Sequence, residues 1–128
     1  MAQVNPAGLA KLRARLTPLA LAGAQAAADV AREKLSGPGS GRQHARLPNR
    51  SSAEGEYPAE QSSRLRDSLG AEGAGSLRAR WGALRNVPGY VMALHFKPPD
   101  MGGRPFMDDL LQDRDVHRAV RTAMGVKP

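Results

Sequence analysis

Residues 36–56 read Ser-Gly-Pro-Gly-Ser-Gly-Arg-Gln-His-Ala-Arg-Leu-Pro-Asn-Arg-Ser-Ser-Ala-Glu-Gly-Glu, and they limit what the chain can become. A stretch with so little apolar surface cannot offset its own ordering entropy by burial. The rest of the chain must therefore supply the core from two separate pieces, one on either side. A loop of this length inside a compact domain is uncommon and is usually functional or disordered. We read residues 37–57 as a flexible basic arm, either a floppy surface loop or a segment ordered only against a partner, within a single domain of 128 residues.

The material for that core is thin. Only 41% of residues are hydrophobic and 4% aromatic, so Ala, Leu and Val must do most of the packing. The absence of cysteine excludes a disulfide scaffold and a Cys-based zinc site, and is consistent with a reducing cytoplasm. No run approaches the roughly 20 apolar residues of a membrane span, so no membrane partner is expected. Lys11, Arg13 and Arg15 ahead of Leu16–Ala28 imitate a signal peptide, but Pro18, Gln25 and Asp29 break the apolar part.

The net charge of +7 is concentrated in one half: residues 1–52 carry eight Lys/Arg against Asp29 and Glu33, the remainder eleven against ten. Such a half suits nucleic acid or an acidic protein surface. No aromatic residues interleave with these cations as base-stacking platforms, which favours a solvated basic face or a protein partner over nucleic acid. A basic nucleic-acid-binding protein using residues 1–52 is the alternative.

Asn5-Pro6 is a helix opening, with Asn as N-cap and Pro at the first helical position. Leu9, Leu12, Leu16 and Leu19 follow at helical spacing, and Thr17-Pro18 predicts a kink between segments 6–16 and 18–35. Ala20, Ala24, Ala27, Ala31 and Leu35 form a small-residue seam, ended by Gly37-Pro38. Beyond the arm, Ser62 or Ser63 is expected to cap a short helix through Leu69, which Gly70 stops. The alternation in Ser76–Trp81 predicts a half-buried strand, and the apolar run Tyr90–Phe96 a more central one. Pro105 and Asp108-Asp109 suit the start of a last helix, with Phe106, Leu110, Val116, Val120 and Met124 as its stripe and a break near Asp113–Asp115.

The expected fold is α+β: a long kinked N-terminal helix, an extended arm, a small antiparallel sheet and a C-terminal helix. Leu65, Leu69, Trp81, Tyr90, Phe96 and Phe106 are its expected core anchors. Two strands make a marginal sheet, so either the arm or a neighbouring subunit is expected to add to it.

Catalytic chemistry finds no footing. His44, His95 and His117 lack metal-ligand spacing, and His95 reads as a sheet-surface residue. Asp108-Asp109 point about 100° apart on a helix and suit its dipole better than acid–base work. No serine sits in a nucleophile elbow, and Gly37-Pro38-Gly39-Ser40-Gly41 is not placed as a phosphate loop. No enzyme, cofactor or metal is expected.

Four segments, in order, resemble the neck or tail-completion (minor tail, head–tail joining) proteins of long-tailed phages. Gly55-Glu56-Tyr57-Pro58 is similar to that family's loop, and Arg64-Leu65-Arg66-Asp67-Ser68-Leu69 to its Arg-Leu-Arg-x-Ser-Ile segment. Tyr90 with Leu94-His95-Phe96 is similar to its strand, and Gly103-Arg104-Pro105-Phe106-Met107 to the opening of its last helix. Ser62-Ser63 and Lys97-Pro98 depart from its usual Thr-Gly and Gly-Thr. The resemblance implies a non-enzymatic virion protein, assembled in the host cytoplasm as a homo-oligomeric ring around the DNA channel. Its partners would be itself, the head connector or head-closure protein, and the tail terminator or tail tube protein, with DNA passing through unread. Arg42, Arg46 and Arg50 would then face acidic partner surfaces. Arg64, Arg66 and Arg104 would make inter-subunit pairs, with Tyr57 beside them at the interface; for Arg64 and Arg104 a local salt bridge, for instance to Asp67 or Asp108, is the equal alternative.

Overall fold

The computed structural model describes residues 5–47, 49–61 and 63–126. Helix α1 runs from Pro6 to Lys34, and the Asn5 carboxamide accepts from the backbone N–H of Ala7 at 3.0 Å and Gly8 at 3.3 Å. The division expected at Thr17-Pro18 is absent: one continuous helix passes through Pro18. Proline forfeits a single bond here, to the Ala14 carbonyl, at an exposed position where water can replace it. Thr17 Oγ1 meanwhile donates to the Arg13 carbonyl at 2.7 Å.

The chain returns to the body at α2, Arg64–Ser68, and turns directly into strand β1, Leu69–Gly73. Ser63 occupies the N-cap position but makes no side-chain cap; Ser62 lies outside the described residues. Strand β2, Ala79–Ala83, pairs antiparallel with β1 in the register Leu69↔Ala83, Ala71↔Trp81, Gly73↔Ala79. The expected alternation survives only over Ala79–Trp81. Ala79 and Trp81 are half-buried with Arg80 exposed between them, and the alternation ends at Gly82, which is buried.

The expected central strand is instead helix α3, Val91–Phe96. A short unbroken apolar run does not discriminate helix from strand. The Pro88-Gly89 turn decides it, with Val91 N–H donating to the Pro88 carbonyl at 3.1 Å, and Met92, Ala93 and Leu94 are good helix formers. Two expected core anchors are thereby lost, since Tyr90 is 47% and Phe96 69% exposed. His95 is likewise no sheet-surface residue: its ring lies edge-on to Phe106 at 5.5 Å. Strand β1 escaped notice because Leu-Gly-Ala-Glu-Gly has no β-branched or aromatic residue.

A one-turn 3₁₀ segment, Pro99–Met101, leads to α4, Phe106–Gln112, and α5, Arg114–Ala123. The break falls at Asp113, as expected, and the Asp113 side chain accepts from Asp115 N–H at 2.8 Å to cap α5. Pro105 stands one residue before the helix instead of in it.

The core gathers on the alanine face of α1. Ala27, Ala31 and Leu35 meet Leu65, Leu69, Val91, Phe106, Leu110 and Val116, while Ala24 and Ala28 meet Ala71 with Trp81 at its edge. The small sheet is thus stabilised by α1 lying across it. Among the described residues the arm adds no strand to it.

Candidate functional site: the basic loop and the cleft beneath it

The arm folds back on its own backbone. Gly39 N–H donates to the Arg50 carbonyl at 3.1 Å, Gly41 N–H to Ser51 at 2.7 Å and Ser51 N–H to Arg42 at 2.9 Å, so the two limbs pair with each other. This explains Gly39 and Gly41: a Cβ at either would run into the Ser51 carbonyl oxygen, where no side chain fits. Glu56 Oε1 accepts from the N–H of Ser40 at 3.0 Å and of Ala53 at 2.6 Å, and these bonds hold its pKa below the usual carboxylate value. The Gln61 side chain bonds the Asn49 backbone twice, Oε1 accepting from its N–H at 3.1 Å and Nε2 donating to its carbonyl at 2.9 Å. Glu60 N–H closes the base of the loop on the Gly37 carbonyl at 2.7 Å.

Two clamps tie the loop to the body. Arg104 is buried, and its guanidinium donates to Ser52 Oγ at 2.8 Å, the Ser52 carbonyl at 2.7 Å and the Gly103 carbonyl at 2.6 Å. The half-buried Tyr57 hydroxyl donates to Asp113 Oδ2 at 2.7 Å. Lys34, at the end of α1, reaches Asp115 at 2.5 Å and Asp113 at 3.8 Å. Burial and then the Asp113 bond push the Tyr57 pKa upward. Burial opposes ionisation of Asp113, but the Tyr57 hydroxyl, the Asp115 and Val116 amides and the Lys34 charge outweigh it and lower the pKa. The Lys34 pKa is raised, chiefly by its bond to Asp115.

Between loop and body lies a cleft of about 700 Å³, lined in part by Leu35, Leu65 and Leu94 and by Arg46, Arg66 and Arg104. Arg66 is already paired, to Glu60 at 2.9 Å and Asp67 at 3.1 Å, and Arg104 is committed to Ser52.

The residues expected at interfaces therefore separate. Arg42, Arg46 and Arg50 are exposed along the loop, and Arg64 is exposed at the start of α2. Arg104 faces the chain's own interior, and Tyr57 packs against the core. Lys34 carries no sequence signal of this role, Glu56 reads only as part of the Gly55–Pro58 segment, and Asp113 only as part of a helix break. Tyr57 and Asp113 are 56 positions apart, and no periodicity relates them.

Among the described residues no three of His, Cys, Asp and Glu come together as a metal site, and no helix is long and apolar enough to cross a membrane. His44, His95 and His117 lie in the loop, α3 and α5 respectively. No family model matches the chain, and no curated protein or solved structure matches it either.

Proposed function

We propose that this is a structural, non-enzymatic virion protein of the head–tail junction, forming a ring between the head connector and the tail around the DNA channel. The observation that carries this reading is where the four resembling segments lie. Tyr57, Leu65 with Leu69, Leu94, and Phe106 with Met107 all contribute to one core cluster or pack against it. Segments spread over 50 residues thus pack into one structural unit, which supports reading them together. The loop that this unit holds presents Arg42, Arg46 and Arg50 outward, suited to bidentate contact with carboxylates of a neighbouring ring.

The test is genetic and microscopic. Removing the chain from the particle that encodes it should leave DNA-filled heads and separate tails in the same lysate. A tagged chain should be labelled at the neck in electron micrographs. Intact tailed particles lacking the chain would overturn the reading. So would tight binding to random duplex DNA that weakens steeply with salt, which would favour the nucleic-acid alternative.

A further inference from the structure

The buried side of α1 outruns the elements that cover it. A Cβ at Gly23 would lie 2.9 Å from Met124 Sδ and 3.3 Å from Val120 Cγ1, so α5 reaches its end over Gly23. Toward the N-terminus the same line continues through Leu19, Leu16, Leu12 and Leu9, at steps of four, three, four and three residues. That is heptad spacing, the pattern of a helix seam awaiting a partner. Leu12, Leu16 and Leu19 are nevertheless 50%, 39% and 37% exposed. Arg13 and Arg15, also exposed, fall at the positions flanking the seam on either side.

A second unpartnered apolar face lies elsewhere on the molecule, with the opposite rim. Met92, Phe96 and Met101 are exposed on α3 and the 3₁₀ segment. Asp100 is exposed on the 3₁₀ segment and Asp108 and Asp109 in the first turn of α4, with Lys97 also exposed. Asp108 Oδ2 stands 3.9 Å from His95 Nε2, and the His95 ring lies 4.6 Å from Phe96, so the acidic edge adjoins the apolar surface.

We propose that these two faces meet between copies of this chain, head to tail. The leucine seam of one copy lies on Met92, Phe96 and Met101 of the next, with Arg13 and Arg15 opposite Asp108 and Asp109. Pairing of two identical seams would instead bring arginines toward arginines. A heterologous contact of this kind closes into a ring when its rotation permits. Leu77 N–H donates to Thr17 Oγ1 at 3.0 Å, so the uncovered part of α1, residues 6–16, is about 16 Å long, which limits each contact to a few hundred Å², short of the roughly 800 Å² per partner of a standard stable interface. Each contact is therefore weak alone, and ring closure, in which every copy gives and receives once, supplies the rest. This inference rests on the proposed ring and names its surfaces.

Sedimentation velocity of the full chain over a concentration series tests it. The expected result is association above the monomer that weakens with salt. R13E/R15E and, separately, D108R/D109R should each weaken it at least about tenfold, and mixing the two variants should restore a one-to-one complex. D108N/D109N serves as a milder acidic-face variant, with helix content by circular dichroism as the folding control. A chain that stays monomeric at several hundred micromolar overturns the proposal. So does self-association that R13E/R15E leaves unchanged or strengthens, or a variant mixture that fails to pair. Neck labelling without this charge dependence would defeat the surfaces but not the ring protein. Charge-dependent association of a chain absent from particles would do the reverse.

Discussion

Tyr57 stands in the Gly-Glu-Tyr-Pro segment that the sequence analysis assigned to an interface, yet its hydroxyl is spent inside the molecule on Asp113. Tyr57→Phe keeps the ring's packing and removes a bond to an ionised acceptor. It should cost about 1–2 kcal/mol in urea unfolding, with near-native helix content. The same cluster fixes a pH profile. Asp113 has a folded pKa below its unfolded value, so its contribution is present above the ordinary carboxylate range, near pH 4, and is lost as pH falls through the folded value. Tyr57 and Lys34 have folded pKa values above their unfolded ones. Their contributions are complete below about pH 10 and are lost as pH rises toward the folded values. Unfolding free energy should therefore form a plateau across neutral pH with a fall on each side. Asp113→Asn should flatten the acid fall and Tyr57→Phe part of the alkaline one. Unchanged limbs in these variants would show that the cluster does not govern the profile. None of this was legible in the sequence, because contacts between distant positions leave no local pattern.

At the scale of elements, legibility followed the strength of the local signal. The opening of α1 at Asn5-Pro6 and the break at Asp113 rest on capping chemistry, which acts over two or three residues and reads directly. Tyr90–Phe96 went wrong because its period is uninformative. β1 was missed because its conformation comes from pairing with β2 and packing under α1. Pro18 was read as a divider, but its cost is borne by a helix anchored along its whole C-terminal half. Pro18→Ala restores a donor to the Ala14 carbonyl at an exposed site and should stabilise α1 by about 1–3 kcal/mol, seen as a higher melting temperature. Gly39→Ala acts oppositely on the loop. Its Cβ meets the Ser51 carbonyl, backbone that cannot step aside, so the pairing of the two limbs must open. Trp81 fluorescence should then keep its native unfolding transition while limited proteolysis newly cuts within residues 39–52.

For the molecule as a whole, the sequence pointed to a mixed α+β chain with a long helix ahead of a basic loop and a sheet too small to stand alone. What it hid is that one arginine joins the loop to the body. Arg104 suits either a subunit boundary or a local pair, and burial with its bonds to Ser52 and Gly103 makes it an internal strut. Replacing it with Ala leaves the Ser52 carbonyl without that donor and frees the loop from one of its two clamps. Tyr57 still holds the other. Hydrogen exchange should respond in two tiers. The amides of Gly39, Gly41 and Ser51, paired across the limbs, should exchange at least about tenfold faster in Arg104→Ala, because the cost of opening the loop falls by one charged hydrogen-bond set. Amides of Ala27, Ala31 and Leu110, set in the core, should stay near their native rates. Arg104→Lys keeps the charge but not the fork of donors, and should fall between. Uniform acceleration throughout the chain would mean that Arg104 holds up the fold itself. Selective acceleration would instead identify a loop that a partner can lift from the body at modest cost, as a ring subunit whose arginines engage its neighbour requires.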